Sequence, residues 1–202
     1  MSDYQPSAKE VKALRDRTGA GIMDCKGALV EAGGDIEQAT DLLRAKGAAD
    51  AAKRAGREAR EGIVDSYIHT GGRVGVLLEV NCETDFVARS DDFTAFVHDV
   101  ALHIAAMNPL FVSSDEVSQE YTARERAVYL AQAEDVDEKF RDKAVEGKLA
   151  KHLKEIALLD QGFIRDQNEK KARTIEELRA EVASRLGENV TIRRFVRYEL
   201  GG

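Results

Sequence analysis

The sequence contains no tryptophan, only two cysteines and two prolines, and no apolar run near the roughly 20 residues that cross a bilayer. The two cysteines, Cys25 and Cys82, are far apart and form no paired motif, which argues against a disulfide scaffold. We therefore expect a reducing, cytoplasmic location and no membrane partner. The first nine residues are polar and lack the apolar segment of a signal peptide.

The chain also lacks an excess of basic residues, because 30 Lys and Arg face 37 Asp and Glu, for a formal charge of −7. Proteins that bind phosphate backbones usually concentrate cations. The most basic stretch, residues 53–60, is diluted by acidic residues and is typical of a solvated face. We therefore predict no direct contact with nucleic acid.

Patterns that would indicate catalysis or cofactor binding are missing as well. The segment 19–21 (Gly-Ala-Gly) precedes a predicted helix, but the chain before it is not strand-like and Asp24 stands at the third glycine position. This favours a turn between two helices over a phosphate-binding loop. The four histidines have no metal-ligand spacing. We predict no catalytic residue, no metal and no cofactor.

The chain begins with three short predicted helices. Ser7 followed by Glu10 is a capping-box pattern that opens the first. The glycines of segment 18–21 end it, a second helix runs over 22–32, and Asp35 caps a third that reaches Gly47. We therefore predict a three-helix module over 1–50, followed by a linker over 51–61.

The rest of the chain, residues 62–202, predicts an α+β core with a small antiparallel sheet packed by helices. Strict alternation over 74–80 indicates a strand with one strongly apolar face. Further predicted strands are 63–69 and 190–200, the latter with Val190, Ile192, Val196, Tyr198 and Leu200 on one face and Arg194 as the exception. Predicted helices follow Ser90 and then cover about 115–134, 137–157 and 174–187.

The segment 81–89 (Asn-Cys-Glu-Thr-Asp-Phe-Val-Ala-Arg) leaves the end of the apolar strand. Thr84 can cap a single helical turn, which would place Asp85 and Phe86 in its first positions. An aromatic residue there is either a core plug or an exposed anchor. Local sequence alone favours the plug, because most phenylalanines are buried.

Several motifs resemble those of elongation factor Ts. Residues 14–15 with 18–26 (Thr-Gly-Ala-Gly-Ile-Met-Asp-Cys-Lys) resemble its N-terminal signature, and 79–88 (Glu-Val-Asn-Cys-Glu-Thr-Asp-Phe-Val-Ala) its second. Residues 146–149 and 158–163 are similar to its C-terminal half. The resemblance covers nearly the whole chain in order, and it implies an N-terminal module of ubiquitin-associated type.

The resemblance also implies a partner, the G domain of elongation factor Tu. In that family the aspartate and phenylalanine of the second signature enter beside the magnesium site of the partner. Here these are Asp85 and Phe86, flanked by Thr84 and Val87. The N-terminal contacts correspond to Arg15, Ile22 and Met23, with Ile22 standing where relatives often have methionine. On this ground Phe86 is expected to be an exposed anchor.

The function so implied is that of a guanine-nucleotide exchange factor in protein synthesis, without covalent chemistry. One alternative is an adaptor that docks the partner without altering its nucleotide. Another is an enzyme that uses Cys25 or Cys82. At 202 residues the chain resembles the short type of the family, which can pair two copies, so a homodimer is expected.

Overall fold

The computed structural model describes residues 4–135, 137–168 and 172–201. Within these ranges the fold is α+β, as predicted, with eight α-helices and a three-stranded antiparallel sheet of order β1-β2-β3. The α-helices are α1 Ala8–Thr18, α2 Ile22–Glu31, α3 Ile36–Arg54, α4 Asp85–Ala88, α5 Asp91–Met107, α6 Gln119–Ala131, α7 Glu138–Ile156 and α8 Ile175–Leu186. The strands are β1 Glu61–Ile68, β2 Val74–Cys82 and β3 Thr191–Glu199.

Local signals account for the N-terminal helices, and the predicted three-helix module is confirmed. Ser7 and Glu10 form both bonds of the capping box that opens α1. Gly19 ends α1 with φ +67°, a left-handed conformation that glycine adopts without strain, and Gly21 is the N-cap of α2. The glycine segment is therefore a turn between helices, as the sequence indicates. Asp35 caps α3 by accepting from the Gln38 N–H.

Helices α1, α2 and α3 enclose a small apolar core. Its buried members are Val11, Leu14, Cys25, Ala28, Leu29, Ala32, Ala39 and Leu43. A core of this size gives limited stability, so each fully buried residue contributes a large share of it.

The predicted end of the third helix at Gly47 is wrong, because α3 continues to Arg54. Alanines after Gly47 favour helix, and Ala51 is buried. A β-carbon at Gly47 would lie 3.7 Å from the Ser184 side chain of α8, an ordinary van der Waals contact. The helix thus takes up the first part of the predicted linker.

Strand β2 forms as predicted, with Val76, Leu78 and Val80 buried on one face. A turn over residues 70–73 joins β1 to β2. The predicted single apolar face of the last strand is wrong. Val190 and Ile192 are buried, whereas Val196, Tyr198 and Leu200 are exposed.

The burial pattern of β3 changes between Ile192 and Phe195, because Arg193 and Arg194 are both exposed. Arg194 Nε donates to Glu79 Oε2 at 2.7 Å. The Arg194 side chain therefore lies on the face of the sheet opposite to the buried residues of β2. Arg197 Nε instead donates to the Ala105 carbonyl of α5. The alternation of the second half of β3 is therefore shifted relative to the first half.

The helix predicted over 115–134 is shorter than expected. Ser113 caps a separate 3-10 turn at Ser114–Glu116, and Val117 is extended. Ser118 then caps α6 by accepting from the Tyr121 N–H. Two caps five residues apart explain why one continuous helix does not form.

The chain divides into two compact units. One comprises Met1–Ile63, Val80–Phe96 and Glu177–Thr191, and the other Val64–Glu79, Val97–Glu176 and Ile192–Gly202. The predicted boundaries of module, linker and core stay a prediction. Among the described residues, no helix combines the length and the apolar character that a membrane crossing requires.

Candidate partner-binding site

The second signature forms a single helical turn, α4, directly after β2. Thr84 is its N-cap, with a side-chain oxygen that accepts from the Val87 N–H at 3.3 Å. Ser90 Oγ donates to the Val87 carbonyl at the other end of the turn. Val87 and Ala88 are buried, so the turn packs on one side and faces solvent on the other.

Phe86 lies on the solvent side of α4, and 83% of its surface is exposed. Asp85 is beside it, and its carboxylate forms an ion pair with Arg89 at 3.0 Å. Asp85, Phe86, Arg89, Ser90 and Asp91 line an open cavity of about 460 Å³. An apolar ring is thus presented next to a negative charge on a short, packed turn. Phe86 is therefore exposed and is not a core plug.

The four residues of the predicted site therefore differ in what they offer a partner. Asp85 and Phe86 project side chains into solvent. Val87 is buried. The Thr84 hydroxyl has partners within the chain, since it caps α4 and donates to Glu188 Oε1 at 2.6 Å.

The predicted N-terminal contact residues are all exposed. Ile22 and Met23 are the first two residues of α2, with 57% and 76% of their surfaces exposed. Arg15 is exposed on α1, and its carbonyl accepts from the Gly19 N–H at 2.7 Å. These residues and the signature turn belong to the same compact unit.

Glu188 and Asn189, which are not among the site residues predicted from the sequence, contact the segment that opens the signature turn. They follow α8, about 100 residues after the turn, and bond to Glu83 and Thr84. A local signal did exist: Asn189 is a polar residue between the helix-ending Gly187 and an apolar strand. Its partners, however, could not be read from the sequence.

Both cysteine thiols are buried. Burial raises the pKa of Cys25, and it raises that of Cys82 to about 11. The Cys82 thiol donates to the Thr84 carbonyl at 3.2 Å. Because the thiolate is the reactive form, neither side chain is suited to nucleophilic chemistry near neutral pH.

Histidines and acidic residues do not assemble into a metal site within the described ranges, where no three potential ligands come together. His103 is fully buried and bonds to Gln161 Oε1 at 2.9 Å through Nε2. His152 bonds to the Tyr121 hydroxyl, and His69 to that of Tyr67. Each of these three rings has a partner within the protein.

Comparison with known proteins identifies the family of the chain. A sequence model of the family described as "Elongation factor TS" matches residues 49–202. The chain is 55% identical to "Elongation factor Ts" of Syntrophomonas wolfei subsp. wolfei, covering 96% of this chain and 90% of the relative. It is 53% identical to the protein of that name from Thermoanaerobacter pseudethanolicus, covering 96% and 95%. The chain belongs to the elongation factor Ts family.

Proposed function

We propose that this protein accelerates the release of GDP from elongation factor Tu during protein synthesis in the cytoplasm, without covalent chemistry. The exposure of Phe86 on a packed helical turn is the observation that best supports the proposal. An apolar side chain left in water on a structured turn gains roughly 1.5–3 kcal/mol when a partner buries it. The family name carried by the relatives supports the choice of partner.

In this proposal Phe86 enters a pocket of the G domain, with Asp85 beside it, and displaces the elements that hold magnesium. Thr84 and Val87 shape the turn that presents them. Guanine nucleotide is held by backbone amides and by magnesium, so moving the metal-binding elements weakens its binding. By linkage, a factor that prefers the empty G protein lowers nucleotide affinity by the same ratio.

Arg15, Ile22 and Met23 form the second contact, through the three-helix module of residues 1–50. Ile22 and Met23 expose adjacent apolar side chains, which a partner can cover. We assign docking to this contact and displacement of the metal to the signature turn. An adaptor would need only the first contact.

We further propose that the core domain, residues 62–202, pairs two copies through one face of the sheet. Leu77 lies opposite the buried side of β2, and a β-carbon at Gly75 would lie 3.0 Å from Ile68 Cδ1 on that same face. Arg194 lies on this face because it bonds to Glu79. Val196 and Tyr198 follow at intervals of two residues along β3 and therefore lie on the same face. Exposed apolar residues of this face are Val64, Ile68, Leu77, Val196 and Tyr198.

A self-complementary apolar face fits a two-fold interface. Sedimentation equilibrium at micromolar concentration should give a mass near two chains, and Leu77→Glu should lower it to that of one. A wild-type mass near one chain would contradict the dimer.

Release of fluorescent GDP from elongation factor Tu, with excess unlabelled GDP and magnesium, tests the exchange function directly. Catalytic amounts of this protein should accelerate release. Binding to elongation factor Tu without acceleration would support the adaptor instead.

A further inference from the structure

We propose that Glu188 and Asn189 are positioning residues for nucleotide exchange, because they hold the turn that carries Asp85 and Phe86. The inference rests on the proposed exchange function. Glu188 Oε2 accepts from the backbone N–H groups of Glu83 and Thr84, both at 3.0 Å. Glu188 Oε1 accepts from the Thr84 hydroxyl at 2.6 Å. One carboxylate thus binds three donors at the start of α4.

The contact is reciprocal. Glu83 Oε1 accepts from the Asn189 N–H at 2.6 Å, and Arg57 Nη1 lies 3.5 Å from the same oxygen. The Asn189 side chain is buried, and its amide donates to the carbonyls of Ala55 and Arg57 at 3.4 and 2.9 Å. We call these bonds of Glu188 and Asn189 the carboxylate clamp. It joins the segment after α3, the segment after β2 and the segment before β3.

The signature turn needs such support because α4 has only four residues. A helix this short cannot stabilise itself, since nucleation fixes several dihedral angles for very few hydrogen bonds. Hydrogen bonds to an ionised carboxylate are roughly twice as strong as neutral ones. The Thr84 hydroxyl donates its hydrogen to Glu188. A lone pair of the same hydroxyl oxygen therefore remains available to accept from the Val87 N–H. The clamp therefore sets the cap that forms the turn.

The consequence for function follows from preorganisation. Phe86 contributes fully to exchange only if its direction is already set when the proteins meet, because ordering it on contact costs free energy. Docking through Ile22 and Met23 does not depend on the clamp, since those side chains start α2. Loss of the clamp should therefore lower the maximal rate of nucleotide release more than it weakens docking.

The test compares Glu188→Ala and Glu188→Gln with wild type in GDP release from elongation factor Tu. We expect kcat to fall about tenfold in Glu188→Ala and less in Glu188→Gln, which keeps one acceptor oxygen, while KM changes less than about threefold. Glu120→Ala, at an exposed glutamate of α6, removes the same charge and should retain the wild-type rate. A wild-type kcat in Glu188→Ala would overturn the inference, even if its melting temperature fell.

Amide hydrogen exchange gives a readout that does not depend on nucleotide release from elongation factor Tu. The Glu83 and Thr84 amides should be protected in wild type and lose protection in Glu188→Ala, with the amides of α5 unchanged. Equal protection of both amides in the two proteins would overturn the inference. If wild type failed to release GDP, the proposed function would fall, and the amide measurement would still decide whether the clamp holds the turn.

Discussion

The signature turn and the start of α2 both hold an exposed apolar side chain in place, but different interactions support them. Each presents an exposed apolar side chain in the first two positions of a helix, Phe86 in α4 and Met23 in α2. Helix α2 has ten residues and no side-chain cap, and it is held by the buried residues Cys25 and Leu29. Helix α4 has four residues and is held at its N-terminus by Thr84 and Glu188.

The length of each helix determines how it is supported. A helix of nearly three turns can bury one face and expose the residues at its end. A single turn buries little, so polar bonds from distant segments must hold it. Changes in the module core should therefore impair α2, and changes in polar contacts should impair α4.

The largest expected effect comes from breaking the packing under α2. Leu29 is fully buried, so Leu29→Ala should cost about 2–5 kcal/mol of unfolding free energy. Because the module core is small, we expect loss of amide protection centred on α1, α2 and α3. Urea unfolding combined with hydrogen exchange measures both quantities.

Leu200→Ala is the matched control, because Leu200 is exposed. It should change the unfolding free energy by less than about 0.5 kcal/mol. Equal losses in the two variants would show that packing does not hold α2.

A smaller effect is expected at the exposed end of α2. Met23→Ala removes an exposed side chain of the proposed docking contact and should raise KM for elongation factor Tu about threefold to tenfold, with kcat retained. Met107→Ala alters a less exposed methionine at the end of α5 and should leave KM unchanged. A fall in kcat without a change in KM would contradict the separation of docking from displacement.

The smallest effect is a pH dependence that involves neither helix end. The Ile164 N–H donates to His103 Nδ1 at 3.2 Å, so this nitrogen carries no proton and Nε2 donates to Gln161. Burial lowers the pKa of His103, so the unfolded chain binds more protons than the native protein below about pH 6.5. Stability should fall as the pH drops through this range, by less than about 1 kcal/mol at pH 6.

Urea unfolding between pH 7.5 and 5.5 should show this dependence in wild type, and His103→Gln should reduce it. Met23→Ala and Phe86→Ala each change the rate of nucleotide exchange by some factor, and the ratio of these two factors should not vary with pH over this range. An identical pH dependence in wild type and His103→Gln would contradict the assignment to His103.

Local signals in the sequence predict much of the fold. The capping residues Ser7, Asp35 and Ser90 and the alternation of β2 each depend on neighbouring residues, and these elements begin where expected. The change in the alternation of β3 could not be predicted from neighbouring residues. It occurs at Arg194, which bonds to Glu79, a residue 115 positions away in sequence.

The candidate site was predictable only in part. Local sequence favoured a buried Phe86, and only the resemblance to a family indicated its exposure. Burial of the next residue, Val87, fixes the direction of the turn, and that burial depends on tertiary packing. The carboxylate clamp joins residues more than 100 positions apart, so no local pattern could reveal it.

Phe86→Ala is the decisive variant for the proposal that Phe86 drives nucleotide release. Stopped-flow release of fluorescent GDP should show kcat/KM lowered roughly thirtyfold, as for loss of a buried aromatic anchor. The melting temperature should be nearly unchanged, because the side chain is exposed. Phe140→Ala, at an exposed phenylalanine of α7, should keep the wild-type rate. A wild-type rate of release in Phe86→Ala would show that Phe86 does not drive nucleotide release.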